Sequence, residues 1–374
     1  MKITIISEFF PWSEDGELRG GVEARAYYFA QELAQQHQVT VITSHEPETT
    51  RQGTIGRIKV IRVGKKRIYS QGGSIFSRLC FIKEAKKVCQ DLEADIIDGY
   101  NWICHLAVWF SRSKAKKVAT YHDVWLGSWI SNLGLFSGVV GEIMEKYIIS
   151  RNWDLFIANS QTTKAKLIDH RVSADKVQVV YNGVDLDAFA SNDDFIPNSI
   201  IYIGRLVSYK NVDQLLQAVK IVKNDIPEIK LSIIGSGPKE AELKKLAREL
   251  NLDSNVTFLG FVRKHQEVID RLKKSQIFCL PSSVEGFGMV TIEALAASVP
   301  YVNSDIKPTI EITQNGKGGL LYPTGQVEKL ASSLQQLLSD PELYRQKRQE
   351  GGELVQSYGW PKLAVQLNGI YQSL

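Results

Sequence analysis

No apolar stretch of this 374-residue sequence reaches the 18 or so residues that a membrane-crossing helix needs. The nearest approach, residues 124–149, is interrupted by Ser, Asn, Glu and Lys. Cysteine is scarce. The four present, Cys80, Cys89, Cys104 and Cys279, form no Cys-x-x-Cys pair and no regular spacing. That argues against a disulfide framework or a zinc site and for free thiols in a reducing cytoplasm. Charge of one sign is not in excess either: 45 Lys and Arg against 41 Asp and Glu leave a net charge of +4. This is too little to imply a nucleic-acid partner, and it suits a protein that handles anionic ligands or touches an anionic membrane. Short-period repeats and low-complexity tracts are missing, which excludes a solenoid or a fibrous chain. The opening run MKITIISEFFPW lacks a small-residue cleavage site and reads as a first buried strand rather than a signal peptide.

What is present is an alternation of short β-rich runs with helix-patterned segments. Strands are expected at 2–7, 39–43, 58–63, 95–98, 117–120, 155–158 and 177–181, then at 200–204, 230–234, 256–260, 276–280 and 299–303. Runs such as Ile3-Thr4-Ile5-Ile6 and Ile200-Ile201-Tyr202-Ile203 are apolar almost throughout, as a parallel strand covered on both faces requires. Between them, Leu243, Leu246, Ala247 and Leu250 fall on one helical face, with Glu242, Lys244, Lys245 and Glu249 off it. The fold class is therefore α/β with parallel sheets. The length favours two domains, and the pattern restarts near residue 199. The polar stretch Ala190-Ser191-Asn192-Asp193-Asp194, followed by Pro197-Asn198, is the linker candidate. The expected division is 1–190, 198–356 and a final helix over 357–374.

Several strand ends carry chemistry. Gly20-Gly21 opens a helix, where backbone can approach a ligand and aim N–H groups at it. Gly204-Arg205-Leu206 with Lys210 follows the strand at 200, placing two cations in a turn at the carboxyl end of a parallel strand, where ligands bind in such sheets. Gly235-Ser236-Gly237 follows the strand at 230, a nucleotide-type turn that also serves plain packing. The most informative segment is Pro281 to Ala294. There Glu285-Gly286-Phe287-Gly288 precedes a helix opening with Met289-Val290, and Glu293 lies inside it. A helix N-terminus favours phosphate, and Glu293 stands about 7–8 Å along the helix from its start. Two carboxylates so spaced can accept hydrogen bonds from hydroxyls at either end of a sugar nucleotide. His122-Asp123, after the strand at 117, can bond a hydroxyl or move a proton. Asn159-Ser160 and Asn182-Gly183, also at strand ends, read as lining or turn residues.

Taken together these pieces resemble the retaining glycosyltransferases of family 4, with the GT-B fold: two Rossmann-like parallel-sheet domains facing across a cleft. The resemblance rests on Glu285-Gly286-Phe287-Gly288 with Glu293, similar to the family's EGFG loop and E-x7-E pair, and on Gly204-Arg205-Leu206 with Lys210. It implies that Gly21 lies near the donor diphosphate and that Arg205 and Lys210 neutralise it. Glu285 would hold the hexose, Glu293 the ribose, and His122 would touch the donor sugar. The last helix, Trp360 to Leu374, would cross back to the N-terminal domain. Two departures put donor identity in doubt: Ser298 stands where the family commonly has Gly, and Lys307-Pro308-Thr309-Ile310-Glu311 replaces a loop that often carries Gly-Gly before a Glu.

The resulting expectation is hexosyl transfer from a UDP- or GDP-sugar to a glycan or lipid-linked acceptor, with no metal and no cofactor needed. A sugar-nucleotide epimerase of the same fold and a non-catalytic binder remain alternatives. For the acceptor, Trp125, Leu126, Trp129, Ile130, Leu133, Leu135, Phe136, Val139 and Val140, with Lys65-Lys66-Arg67 and Lys83, Lys86, Lys87, fit either an anionic cytoplasmic membrane face or a buried hairpin with solvated lysines.

Overall fold

The computed structural model describes the chain except residues 15, 17, 70–73, 131–133 and 190–193; of residue 136 only the backbone is described. Residues 190–193 of the linker candidate and the apolar Leu133 thus lie outside the described residues, as does the Phe136 side chain, while the candidate's Pro197-Asn198 falls inside a strand, Ile196–Ile203. The chain divides into two compact units, Met1–Asn182 with Trp360–Leu374, and Gly183–Gly359. The division falls ahead of the polar stretch at 190. Val184 forms a parallel bridge with Gly359, its N–H donating to the Tyr358 carbonyl at 2.8 Å, which ties the start of the second unit to its end.

The first unit is built on an eight-stranded sheet in the order β3-β4-β2-β1-β5-β6-β7-β8. The strands are β1 Lys2–Ile6, β2 Gln38–Ser44, β3 Gln52–Ile55, β4 Ile58–Val63, β5 Ile96–Gly99, β6 Lys116–Tyr121, β7 Leu155–Ala158 and β8 Val177–Val179. All pair in parallel except β3, which folds back antiparallel on β4. The sequence does not announce β3, because Gln52-Gly53-Thr54 is exposed and only Ile55 is buried. The central strands are sealed on both faces: Ile5, Val41, Ile97 and Ile157 are fully buried. Trp360 of the C-terminal helix Trp360–Gln372 stacks on Tyr28 with ring centroids 5.1 Å apart, fixing that helix against Gly21–Leu33.

The second unit carries a six-stranded parallel sheet, β11-β10-β9-β12-β13-β14. These strands are β9 Ile196–Ile203, β10 Lys230–Ile234, β11 Val256–Gly260, β12 Ser275–Leu280, β13 Tyr301–Ser304 and β14 Gly319–Tyr322. The short β14 is a second strand the sequence does not announce; Gly-Leu-Leu-Tyr gives no periodicity to read. The chain winds outward from β9 through β10 to β11, then returns to β12 on the other side of β9. The loops after β9 and β12 therefore leave the same sheet edge in opposite directions, the point at which parallel sheets open a ligand crevice.

Candidate active site

In the second unit, backbone contact sets the loop after β9. Gly204 N–H donates to the Ile234 carbonyl at 3.0 Å and Leu206 N–H to the Ser236 carbonyl at 3.0 Å. A Cβ on Gly235 would lie 1.9 Å from the Gly204 oxygen, and one on Gly237 would lie 2.3 Å from the Leu206 oxygen. These two glycines let the β10 loop lie directly on the β9 loop, and so hold the backbone that carries Arg205. The Tyr202 hydroxyl adds a bond to the Arg205 carbonyl at 3.0 Å. The Arg205 side chain is exposed and makes no hydrogen bond or ion pair among the described residues.

Five residues on, a short turn over Ser208–Lys210 is tied to the loop after β12. The Tyr209 carbonyl accepts from the Ser283 backbone N–H at 2.9 Å and from its hydroxyl at 3.2 Å. The Asn211 amide donates to the Pro281 carbonyl at 3.0 Å. Asn211 itself is left-handed, with φ 50°, and starts the helix Val212–Val222. These ties bring Lys210 Nζ to 2.5 Å from Glu285 Oε1, with 14% and 11% of the two side chains exposed. The sequence named both residues but not their pairing, and gave no sign of Asn211.

Gly288 sits at φ 91°, ψ 46° and starts the helix Met289–Ala296; this left-handed turn suits glycine, and a Cβ would press on Ile312 at 3.1 Å. The Met289 and Val290 N–H groups have no hydrogen bond among the described residues, leaving the positive end of the helix open. Buried Asn303 positions that helix: it accepts from Leu280 N–H and donates to the Thr291 hydroxyl, both at 2.9 Å. Phe287 is buried, its ring 6.4 Å from that of Tyr358. Glu293 is half-buried without a hydrogen bond among the described residues, and burial pushes its carboxyl up. Exposed guanidinium, ammonium, open helix amides and two carboxylates together suit a polyanion that also carries hydroxyl groups.

In the first unit, Gly20 caps the helix Gly21–Leu33 and Gly21 is exposed. Arg19, just before, is fixed by Glu23 and Glu46 at 2.6 Å each. His122 follows β6. Burial, then the nearby Arg25, push its imidazole down to about 3, so it is neutral at physiological pH. Its Nε2 is buried without a hydrogen bond among the described residues, and its ring lies 6.1 Å from that of Tyr100. Asn159 donates to the His122 carbonyl at 2.8 Å, Ser160 caps the helix Gln161–Asp169, and Asn182 accepts from Arg25 at 2.7 Å. Those three strand-end residues are structural ties. Behind His122 lies an unforeseen network: Asp98 accepts from Thr120 at 2.8 Å and from Tyr371 at 2.6 Å, and burial raises its carboxyl to about 6.

Comparison with known proteins matches the two halves separately. Residues 187–353 fit the family described as glycosyl transferases group 1, and residues 19–188 fit Glycosyltransferase Family 4. An uncharacterized glycosyltransferase of Haemophilus influenzae is 32% identical over 173 residues, 46% of this chain and 48% of that one. The chain thus spans about half the length of that relative. A phosphatidyl-myo-inositol mannosyltransferase of Mycobacterium leprae is 26% identical over 97% of this chain and 95% of its own. Among solved structures, sucrose-phosphate synthase from Thermosynechococcus elongatus superposes with a TM-score of 0.83 at 23% identity, covering 100% of this chain and 98% of that one. Anabaena HepE in complex with UDP and glucose gives 0.76 at 18% identity, with both chains covered fully. These structural likenesses establish the fold, which is GT-B.

Proposed function

Because the chain belongs to the family 4 glycosyltransferases, we propose that it transfers a hexosyl group from a UDP- or GDP-sugar to a glycan or lipid-linked acceptor, with retention at the anomeric carbon. The observation that carries this reading is the convergence, after β9 and β12, of Arg205, the Lys210–Glu285 pair and the open N-terminus of Met289–Ala296. HepE, of the same fold, binds UDP and glucose, which supports a sugar nucleotide as donor. The Mycobacterium leprae relative is, by its name, a phosphatidyl-myo-inositol mannosyltransferase, which supports a lipid-linked acceptor.

Charge grows on the diphosphate as the glycosidic bond breaks. Arg205 can fork to two of its oxygens, Lys210 adds a point charge, and the Met289 and Val290 amides add donors that need no reorganisation. These groups offset the leaving-group charge, and we propose that no metal is required. Glu285, already oriented by Lys210, accepts from hexose hydroxyls, and Glu293 accepts from ribose hydroxyls. Gly286, Phe287 and Gly288 shape the loop between them; Gly204, Gly235 and Gly237 hold the Arg205 backbone. On the first unit, the Gly20-Gly21 amides serve phosphate and neutral His122 serves a sugar hydroxyl as a hydrogen-bonding group. Retention proceeds by same-face attack on an oxocarbenium-like centre, with the departing phosphate taking the acceptor proton.

The test is turnover of UDP-, GDP-, ADP- and dTDP-sugars with and without EDTA, reading release of nucleoside diphosphate. Release that depends on acceptor and persists in EDTA supports the reading. Undiminished transfer by Arg205→Ala, Lys210→Ala and Glu285→Ala alike would remove the site assignment.

A further inference from the structure

The segment after His122 is not a buried hairpin. The helix Leu135–Ile149 uses one face to hold residues 125–130: Cβ atoms on Gly138 and Gly141 would strike Ile130 and the Trp129 ring at 2.4 Å, so glycine makes room for them. On the same face Glu145 accepts from the Trp129 indole at 2.6 Å and Glu142 from Gly127 N–H at 2.7 Å. The face turned away carries Leu135, Val139 and Ile143 at successive turns, with Val140 beside them, and all four are exposed, Leu135 and Ile143 by 65% and 64%. The face that could have been satisfied by packing is already occupied, and the apolar one is not.

A second helix repeats the arrangement. Ile75–Asp91 buries Phe81, Ala85 and Cys89 against the sheet and turns Ile75, Phe76 and Leu79 outward, the first two 74% and 60% exposed. Lys83, Lys86 and Lys87 continue that outward face toward the C-terminus. Lys65 Nζ stands 4.7 Å from the Phe76 ring, so the basic loop before the helix borders the apolar tip. Of the seven basic residues in 64–91, Arg67 and Arg78 turn inward onto Glu8, which leaves Lys65, Lys66, Lys83, Lys86 and Lys87 as the cations of this face. The two helices follow β4 and β6, lie on one side of the sheet with Trp102–Phe110 between them, and start at its carboxyl edge. Two apolar tips therefore emerge at the same end of one layer.

We propose that these tips insert into the headgroup region of an anionic bilayer, with the lysines of 65–87 on its lipid phosphates. This deepens the proposal of a lipid-linked acceptor and rests on it. The occupant is a bilayer rather than a second copy because Lys65 and the outward lysines of Ile75–Asp91 flank the first apolar tip, and the helix of the second tip turns its acids Glu142 and Glu145 onto the Trp129 loop rather than outward to meet them.

The experiment is co-sedimentation of the full chain with vesicles of phosphatidylcholine alone and with 30% phosphatidylglycerol (roughly the anionic fraction that draws polybasic segments), alongside a thermal-shift assay with UDP-sugar. The wild type should partition at least about tenfold more onto anionic vesicles, and less at high salt. Phe76→Ser with Leu79→Ser, Leu135→Ser with Ile143→Ser, and Lys83→Glu with Lys87→Glu should each remove most of that binding while the donor-induced shift stays unchanged. A donor shift without vesicle binding overturns this inference and leaves the transferase reading standing; vesicle binding without any donor shift does the reverse. A concentration-dependent dimer that Leu135→Ser with Ile143→Ser dissolves, with no vesicle binding, overturns it in favour of self-association.

Discussion

Lys210 and Glu285 are 75 residues apart in the chain and 2.5 Å apart in space, in a site where both are largely shielded from water. Removing one partner leaves the other as a poorly solvated charge. Lys210→Met or Glu285→Gln alone should each cost about 2–3 kcal/mol of stability, between the values for exposed and fully buried pairs. The double variant should recover much of that stability and none of the activity. Chemical denaturation with turnover on the same samples checks this; recovered activity in the double variant would reduce the pair to a structural tie.

Glu293 presents the opposite case, a half-buried carboxylate with no hydrogen bond or ion pair among the described residues, its pKa raised by burial against the opposing pull of His265. Its raised folded-state pKa means the native state holds the proton more tightly than the unfolded chain. Stability from this group is present at low pH and falls as pH rises from the unfolded carboxylate value through the folded one. Glu293→Gln should therefore be as stable as the wild type or more so at neutral pH, yet bind donor some 10–100-fold more weakly, the loss of a charge-assisted hydrogen bond to hydroxyl. Melting curves against pH and donor titrations separate the two effects.

For His122 the sign is reversed. Its folded-state value near 3 lies below the ordinary 6.5, so the unfolded chain takes up its proton first. Stability is intact above about pH 6.5 and is lost progressively as pH falls toward 3. The imidazole neither gains nor loses a proton between pH 5 and 8, and kcat should show no ionisation from it there. His122→Gln should keep the shape of the pH–rate profile while lowering its height by roughly 10–100-fold, as expected for one hydrogen bond to substrate. An acid limb near pH 6 that vanishes in the variant would contradict the neutral assignment.

The parallel sheets were legible because Ile3–Ile6 and Ile200–Ile203 are apolar on both faces, and the candidate site because Gly204-Arg205 and Glu285–Glu293 are each local motifs. What the sequence could not show was pairing across distance. Lys210 with Glu285 depends on Asn211 reaching Pro281, and the pose of Met289–Ala296 depends on Asn303. Strand β3 escaped because three of its four residues face solvent, and the unit boundary because the Val184 bridge to Gly359 leaves no mark in composition.

Ser298 joins the two levels. Its φ is 56°, in the left-handed region that favours glycine. Ser298 N–H donates to Leu295 O at 3.0 Å and Val299 N–H to Ala294 O at 2.8 Å, a Schellman closure of the site helix. Ser298→Gly should raise stability by about 1 kcal/mol by relieving the left-handed strain, without altering kcat. A melting temperature unchanged or lowered would count against it.

The central claim is that the second unit holds a nucleoside diphosphate on Arg205, Lys210 and the N-terminus of Met289–Ala296. A crystal structure of the chain soaked with UDP measures this directly. The diphosphate oxygens should lie within hydrogen-bonding distance of the Arg205 guanidinium and the Met289 and Val290 amides, with the ribose hydroxyls on Glu293. UDP bound elsewhere, with Arg205 still facing solvent and Glu293 without a partner, would contradict it.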